Sequence, residues 1–200
     1  MSLRIAAGRY KGRRIATVSG PGYRPAMDKV RQALFSMLES RGVKWEGSRV
    51  LDLFAGSGSL GLEALSRGAE EVVFVEQSPK AVRALHDTLA SLQISGEQFF
   101  VSTKKVAWYL RQTPRQPFDL VFIDPPYGQR LLLPALKGLL TQNWLTDFAF
   151  VAAEVEAEMD VDDVPLDFEQ IVNRTYGQTR IVIWTTRNPR LQSTLEPSTP

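Results

Sequence analysis

Val50-Leu51-Asp52-Leu53-Phe54-Ala55-Gly56-Ser57-Gly58-Ser59-Leu60-Gly61 reads as an apolar strand that enters a glycine-rich turn and then a helix continuing to Arg67. Gly56, Gly58 and Gly61 match G-x-G-x-x-G, in which glycines let the backbone approach a ligand and the helix N-terminus faces it. Glu76 closes the next apolar run, Val72 to Val75, eighteen residues past Gly58, and a carboxylate there is placed for ribose hydroxyls. The stretch predicts a nucleotide-type ligand at the first strand-to-helix turn of a parallel sheet.

A second motif, Asp124-Pro125-Pro126-Tyr127, follows the apolar run Leu120 to Ile123 and so falls at the end of another buried strand. The Asp124 carboxylate and a prolyl carbonyl supply two acceptors, and the Tyr127 ring supplies a stacking surface. Together they suit a flat base bearing an exocyclic amine. Pro-Pro after a strand is also an ordinary way to end one, so the motif gains weight only from the glycine loop upstream.

Both dinucleotides and S-adenosylmethionine contain a ribose, and Glu76 does not separate them. Asp52 does: at the mouth of the turn it would repel a pyrophosphate and attract the ammonium of a methionine moiety. The expected cofactor is therefore S-adenosylmethionine rather than a nicotinamide, which also fits an amine-accepting pocket. The chain has no cysteine, so it has no disulfide, no Cys-ligated zinc and no thiolate for methylating a pyrimidine ring carbon. A nitrogen is the expected acceptor. His86, the one histidine, falls in a predicted helix and reads as a surface or packing residue.

Two hundred residues with 44% hydrophobic content provide one sizeable core. No apolar stretch reaches the roughly 20 residues needed to span a bilayer, and the N-terminus lacks a signal-peptide core, so a cytoplasmic enzyme, as a monomer, is expected. The formal net charge of +2 conceals an asymmetry. Residues 1–31 hold eight basic side chains against one acid, leaving the rest at −5. A basic arm on an acidic body is the footprint of a polyanion partner, and Arg9, Lys11, Arg13, Arg14 and Arg24 are the candidate RNA contacts.

Within the arm, Leu3, Ile5 and Ala7 alternate with other residues, and Gly8 and Gly12 flank Arg9-Tyr10-Lys11, a pattern predicting a hairpin with a basic tip. Asp28 reads as the N-cap of a helix from Lys29 to Leu38, with Val30, Leu34, Phe35 and Leu38 facing the core. Beyond the first unit, strands are predicted at 72–76, 99–102, 120–123, 149–155, 168–173 and 179–185, with helices at 79–92, 106–112 and 131–140. This alternation predicts a mainly parallel seven-stranded sheet with helices on both faces, and the last two strands form a hairpin that makes one strand antiparallel. Asp52, Glu76 and Asp124 all fall at strand ends, where ligands sit in open α/β sheets. The expected division is a hairpin and helix extension over 1–40, a Rossmann-like domain over 41–187 and a disordered Pro/Ser/Thr-rich tail over 188–200. The acidic run from Glu154 through Asp167 reads as a solvated loop, without EF-hand spacing and with no metal site expected.

The succession of a basic arm, RPAMDKVRQALFSML (residues 24–38), LDLFAGSGSLGLEALSRGA (51–69), VFVEQ (73–77) and DLVFIDPPYG (119–128) resembles the bacterial small-subunit ribosomal RNA (guanine-N2)-methyltransferase family, RsmD type, over about residues 3 to 186. The resemblance implies a Rossmann-like S-adenosylmethionine-dependent methyltransferase fold. It implies methyl transfer to the N2 amine of a guanine in 16S ribosomal RNA, free or in a small-subunit particle. It assigns Asp52, Phe54, Ala55, Gly56, Ser57, Gly58, Glu76 and Gln77 to the cofactor, and Asp124, Pro125, Pro126 and Tyr127 to the target base. DPPY is shared with adenine-N6 methyltransferases, so a DNA or RNA adenine-N6 enzyme stands as one alternative and a non-catalytic RNA-binding or assembly homologue as another. One position departs from the family: Lys105 stands where related sequences place Asp or Asn against the cofactor's adenine, and a lysine offers donors only.

Overall fold

The computed structural model describes residues 3–17, 25–161 and 163–186. Arg24, the residues 18–23 before it and the tail predicted at 188–200 lie outside these residues. The strands are β1 (Arg49–Leu53), β2 (Glu71–Val75), β3 (Phe99–Ser102), β4 (Phe118–Ile123), β5 (Leu145–Glu156), β6 (Phe168–Tyr176) and β7 (Thr179–Thr186). The helices are α1 (Pro25–Ser40), α2 (Ser59–Arg67), α3 (Pro79–Ser91), α4 (Val106–Tyr109) and α5 (Leu132–Thr141). The seven strands form one sheet in the order β3-β2-β1-β4-β5-β7-β6. Strands β1 to β5 are parallel, and β7 runs antiparallel to both β5 and β6, so β7 alone opposes the rest.

The central strands are nearly continuous apolar runs because helices cover both faces of the sheet. On one face α1, α2 and α3 pack through Leu34, Phe35, Leu62 and Leu85 against Phe74 and Phe122. On the other, α4 and α5 pack through Val106, Leu136 and Leu139 against Leu51 and Val121. Gly61 permits the tight contact of α2 with the sheet, because a Cβ there would lie 2.3 Å from Phe74 Cε1.

The N-terminal arm does fold back on itself. Ile5 N donates to Arg13 O (3.0 Å), Ile15 N to Leu3 O (2.9 Å), and Arg4 and Arg14 form an antiparallel bridge. It is also docked on the domain. The Glu63 carboxylate of α2, fully buried, accepts from Ala6 N (2.7 Å) and Ala7 N (2.9 Å), Ser66 Oγ accepts from Tyr10 N (2.9 Å), and Thr88 Oγ1 of α3 accepts from Ala16 N (2.9 Å). Gly8 is required at this contact: its φ is +79°, and a Cβ would overlap Ser66 O at 1.8 Å. Ile5 and Ile15 join the same core as α1 and the sheet.

Several boundaries differ from the sequence reading. Helix α1 starts at Pro25, a residue tolerated in the first turn, so Asp28 is not its N-cap and instead meets Arg31 one turn on at 3.2 Å. Strands β4 and β5 begin earlier than the apolar runs suggest, because a register irregularity between Phe118 and Leu120 brings Leu145 into the ladder ahead of exposed Asp147 and Phe148.

Candidate active site

The carboxyl ends of β1, β2 and β4 open onto a cavity of about 960 Å³, lined by Phe54, Glu76, Gln77, Lys105, Arg111, Asp124, Pro125, Pro126 and Tyr127, among others. Its size is that of a small-molecule site. Phe54, where the glycine loop begins, forms part of one wall. Phe54 has φ 60°, a left-handed conformation that a bulky residue rarely adopts, and its side chain faces the cavity. Gly56 has φ +55°, and a Cβ there would meet no atom closer than Phe54 O at 4.0 Å, so the loop presents bare backbone to open space. Glu76 reaches across from β2 and accepts from Gly56 N (2.8 Å) and Ser78 N (2.6 Å), which ties the loop to the start of α3. Ala55 and Gly58 are buried within the turn and Ser57 is half-buried.

Asp52 is placed differently from the expectation. Its carboxyl is buried, and Oδ2 accepts from Gly61 N (2.9 Å) in the first turn of α2. Asp52 thus caps a helix whose own N-cap, Gly58, has no side chain, and it does not line the cavity. Burial pushes its pKa up from 3.8 to about 7, the Gly61 bond pulls it down, and Glu76 adds to the rise. These contacts fit a residue that fixes the loop better than a direct partner for a ligand ammonium.

Asp124 is the first residue past β4. The parallel register pairs Ile123 with Ala153, so Asp124 and Glu154 emerge side by side on the face that carries Phe122 and Ala152. Adjacent strands lie about 4.8 Å apart, which puts the two carboxyls in direct electrostatic contact. Burial, then Glu154, then Asp52, hold the Asp124 pKa well above the ordinary carboxylate range. Burial likewise raises Glu154, while the Arg31 guanidinium from α1 opposes the rise. Pro125 is buried and Pro126 exposed. The Tyr127 ring is 51% exposed, and its hydroxyl shares a hydrogen bond with Thr179 Oγ1 (3.0 Å) on β7. The turn is pinned by Gly128 N, which donates to Glu156 Oε1 (2.6 Å).

Glu154 and Glu156 therefore correct the reading of the acidic run as a solvated loop. Glu154 is 8% exposed and stands beside Asp124, and Glu156 holds the DPPY turn. Their placement in a long strand is the signal: alternation with Ala153 and Val155 puts Glu154 on one sheet face. Arg31 was equally hidden, sitting among the apolar positions of α1. Among the described residues no cluster of His, Asp or Glu is arranged to hold a metal ion, and no helix is long and apolar enough to cross a membrane. His86 is exposed, its ring edge against Phe99. Lys105 is exposed at the start of α4 on the cavity rim.

Residues 3–185 match the family described as Conserved hypothetical protein 95. The chain belongs to this family. Relatives include ribosomal RNA small subunit methyltransferase D of Haemophilus influenzae, 39% identical over 78% of this chain and 80% of that protein. The protein of the same name in Escherichia coli is 34% identical over 88% of this chain and 86% of its own length. The solved structure of yhhF, a candidate methyltransferase of Escherichia coli, superposes with a TM-score of 0.80 at 32% identity, covering 94% of this chain and 99% of that one. The family resemblance carried by the motifs is thus correct, and the fold is that of the Rossmann-like S-adenosylmethionine-dependent methyltransferases.

Proposed function

We propose that this chain transfers a methyl group from S-adenosylmethionine to the N2 amine of a specific guanine in small-subunit (16S) ribosomal RNA, in the cytoplasm. The observation that carries the reading is Asp124, a carboxyl at the end of β4 that shares one cavity with Phe54 of the glycine loop and with Glu76, and stands beside an exposed tyrosine ring. The names of the relatives support ribosomal RNA as the substrate. The residues present fit the cofactor: Phe54 to Gly58 offer open backbone at Gly56, and Glu76 keeps lone pairs available for ribose hydroxyls beside Gln77.

When bound, S-adenosylmethionine supplies an electrophilic sulfonium methyl. The chain's own residues prepare the acceptor. An exocyclic base amine is a poor nucleophile because its lone pair is delocalised into the ring. Asp124 and a prolyl carbonyl of the turn accept its two N–H groups and favour a pyramidal nitrogen, while Tyr127 holds the base plane. Such contacts accelerate the reaction in so far as they strengthen in the transition state. Positioning of the amine supplies much of the remainder. Asp124, its proton affinity raised by burial, takes the proton from nitrogen as it becomes cationic. The guanine has to be unpaired or flipped out for its amine to reach the turn.

The test is transfer of labelled methyl from S-adenosylmethionine to ribosomal RNA, free and in small-subunit particles, followed by digestion to nucleosides. N2-methylguanosine is the expected product. N6-methyladenosine would move the acceptor to adenine, and cofactor binding without any transfer to either substrate would replace the catalytic reading with an RNA-binding one.

A further inference from the structure

Glu154 and Arg31 are charged, buried and unused by the mechanism above. Glu154 is 8% exposed and Arg31 is 5% exposed. Arg31 Nη2 donates to Arg4 O (2.5 Å) and to Asp28 Oδ1 (3.2 Å), whereas Nε and Nη1, also buried, have no hydrogen-bond partner among the described residues. Vacant buried donors are costly, and a ligand that satisfies them recovers that cost on binding. The register puts Glu154 beside Asp124, and Arg31 lies one helical turn before Phe35, whose ring centroid is 5.5 Å from that of Phe122 on the same sheet face. The guanidinium also opposes the rise of the Glu154 pKa, as a cation near that carboxyl would. The groups thus run from Asp124 to Glu154 on adjacent strands and on to Arg31 of the covering helix, with the Tyr127 turn at the acidic end.

A guanine presents a matching row along its Watson–Crick edge: the N2 amine, the N1–H donor and the O6 acceptor. We propose that Asp124, Glu154 and Arg31 read this edge as a unit, with Asp124 accepting from N2, Glu154 accepting from N1–H, and the vacant Arg31 N–H groups donating to O6. The inference rests on the guanine-N2 reading and supplies its specificity. An adenine places a lone pair at N1, which faces Glu154 without a proton to share, and an amine at position 6, which faces Arg31 donor to donor. Two neighbouring carboxyls that repel each other are bridged by adjacent N–H groups of a guanine and not by an adenine. Flipped bases are commonly read by hydrogen bonds to this edge while stacked on a side chain. Glu154 and Arg31 are specificity-determining residues on this account.

The experiment uses the full chain and a small-subunit RNA fragment carrying the mapped target position as guanosine or as 2-aminopurine riboside. The analogue keeps the N2 amine but has a lone pair at N1 and no O6. The wild type should methylate guanosine roughly 100-fold faster in kcat/KM than the analogue, because a site built to hydrogen-bond a polar group strongly rejects a ligand lacking it. Equal rates would overturn the inference. Glu154→Gln, whose amide can donate to a bare N1, should lose roughly 10- to 100-fold on guanosine and lose nothing on the analogue. Arg31→Lys should likewise slow guanosine selectively. A fall by the same factor on both substrates would mark the two residues as structural only and sink the proposal. If a variant no longer binds S-adenosylmethionine or melts without cooperativity, the wild-type comparison alone decides. Failure of the underlying reading is separate: it shows as no N2-methylguanosine from the wild type on unmodified RNA.

Discussion

A carboxyl is an acceptor at both oxygens, and a base, only when ionised, yet Asp124 and Asp52 sit where burial favours the neutral acid. For Asp124 the consequence is kinetic. Asp124→Ala is expected to lower kcat at least about 100-fold while cofactor affinity, read by calorimetry, stays within a few-fold. Loss of cofactor binding instead would remove Asp124 from the acceptor role. For Asp52 the consequence is stability. A folded-state pKa near 7, above the unfolded value of about 3.9, means the folded chain holds its proton more tightly. The stability this gives is complete below pH 4 and is lost as pH rises towards 7. Relative to Asp52→Asn, the wild type should therefore weaken between pH 4 and pH 7 by on the order of 4 kcal/mol, measurable by urea unfolding at the two ends. Asp52 and Asp124 were both legible as strand-end acids. Glu154 was not, because its neighbours in sequence are acidic and only pairing with β4 puts it beside Asp124.

Among the elements, the N-terminal hairpin depends most on a single side chain. Its backbone donors Ala6 N and Ala7 N end on Glu63, which is also paired with Arg67 at 2.9 Å, and Arg67 in turn contacts Glu39 and lies over the Phe35 ring. Glu63→Ala leaves two amides without their acceptor and takes one of two carboxylate partners from the Arg67 guanidinium. It should cost about 3 kcal/mol in urea unfolding and release amide-exchange protection at residues 6 and 7. Unchanged exchange there would mean that the hairpin docks through its apolar contacts, Ile5 and Ile15, alone. The hairpin itself was readable from alternation and glycines. Its docking was not, since a glutamate in the second turn of an amphipathic helix looks like an ordinary solvent-facing charge. The start of α1 was misplaced for a related reason: an Asp ahead of an apolar run looks like a cap, but here it is the i, i+3 partner of Arg31.

Across the whole molecule, the basic tip and the cavity occupy different ends. Arg9 N is bonded to Ser66 O near the end of α2, about 10 Å along the helix from the glycine loop, and Arg13 reaches Ser91 O at the end of α3. An RNA held by both would run along the α2 and α3 side of the domain. Neutralising Arg9, Lys11, Arg13 and Arg14 together should flatten the dependence of log Kd on log salt by up to about 3 for single-stranded RNA, read by filter binding. An unchanged slope would assign these charges to solubility. What the sequence by itself determined is whatever local chemistry specifies: strand and helix periodicity, the two strand-end motifs, the glycines where backbone must pass close, and through these the fold and the family. What only the tertiary structure decided is which side chains from distant segments meet. The strand order puts Glu154 beside Asp124, the packing of α1 brings Arg31 to them, and α2 turns Glu63 towards the hairpin. Periodicity tells each residue which face it occupies, but a face acquires its neighbours only when the sheet has been assembled and covered.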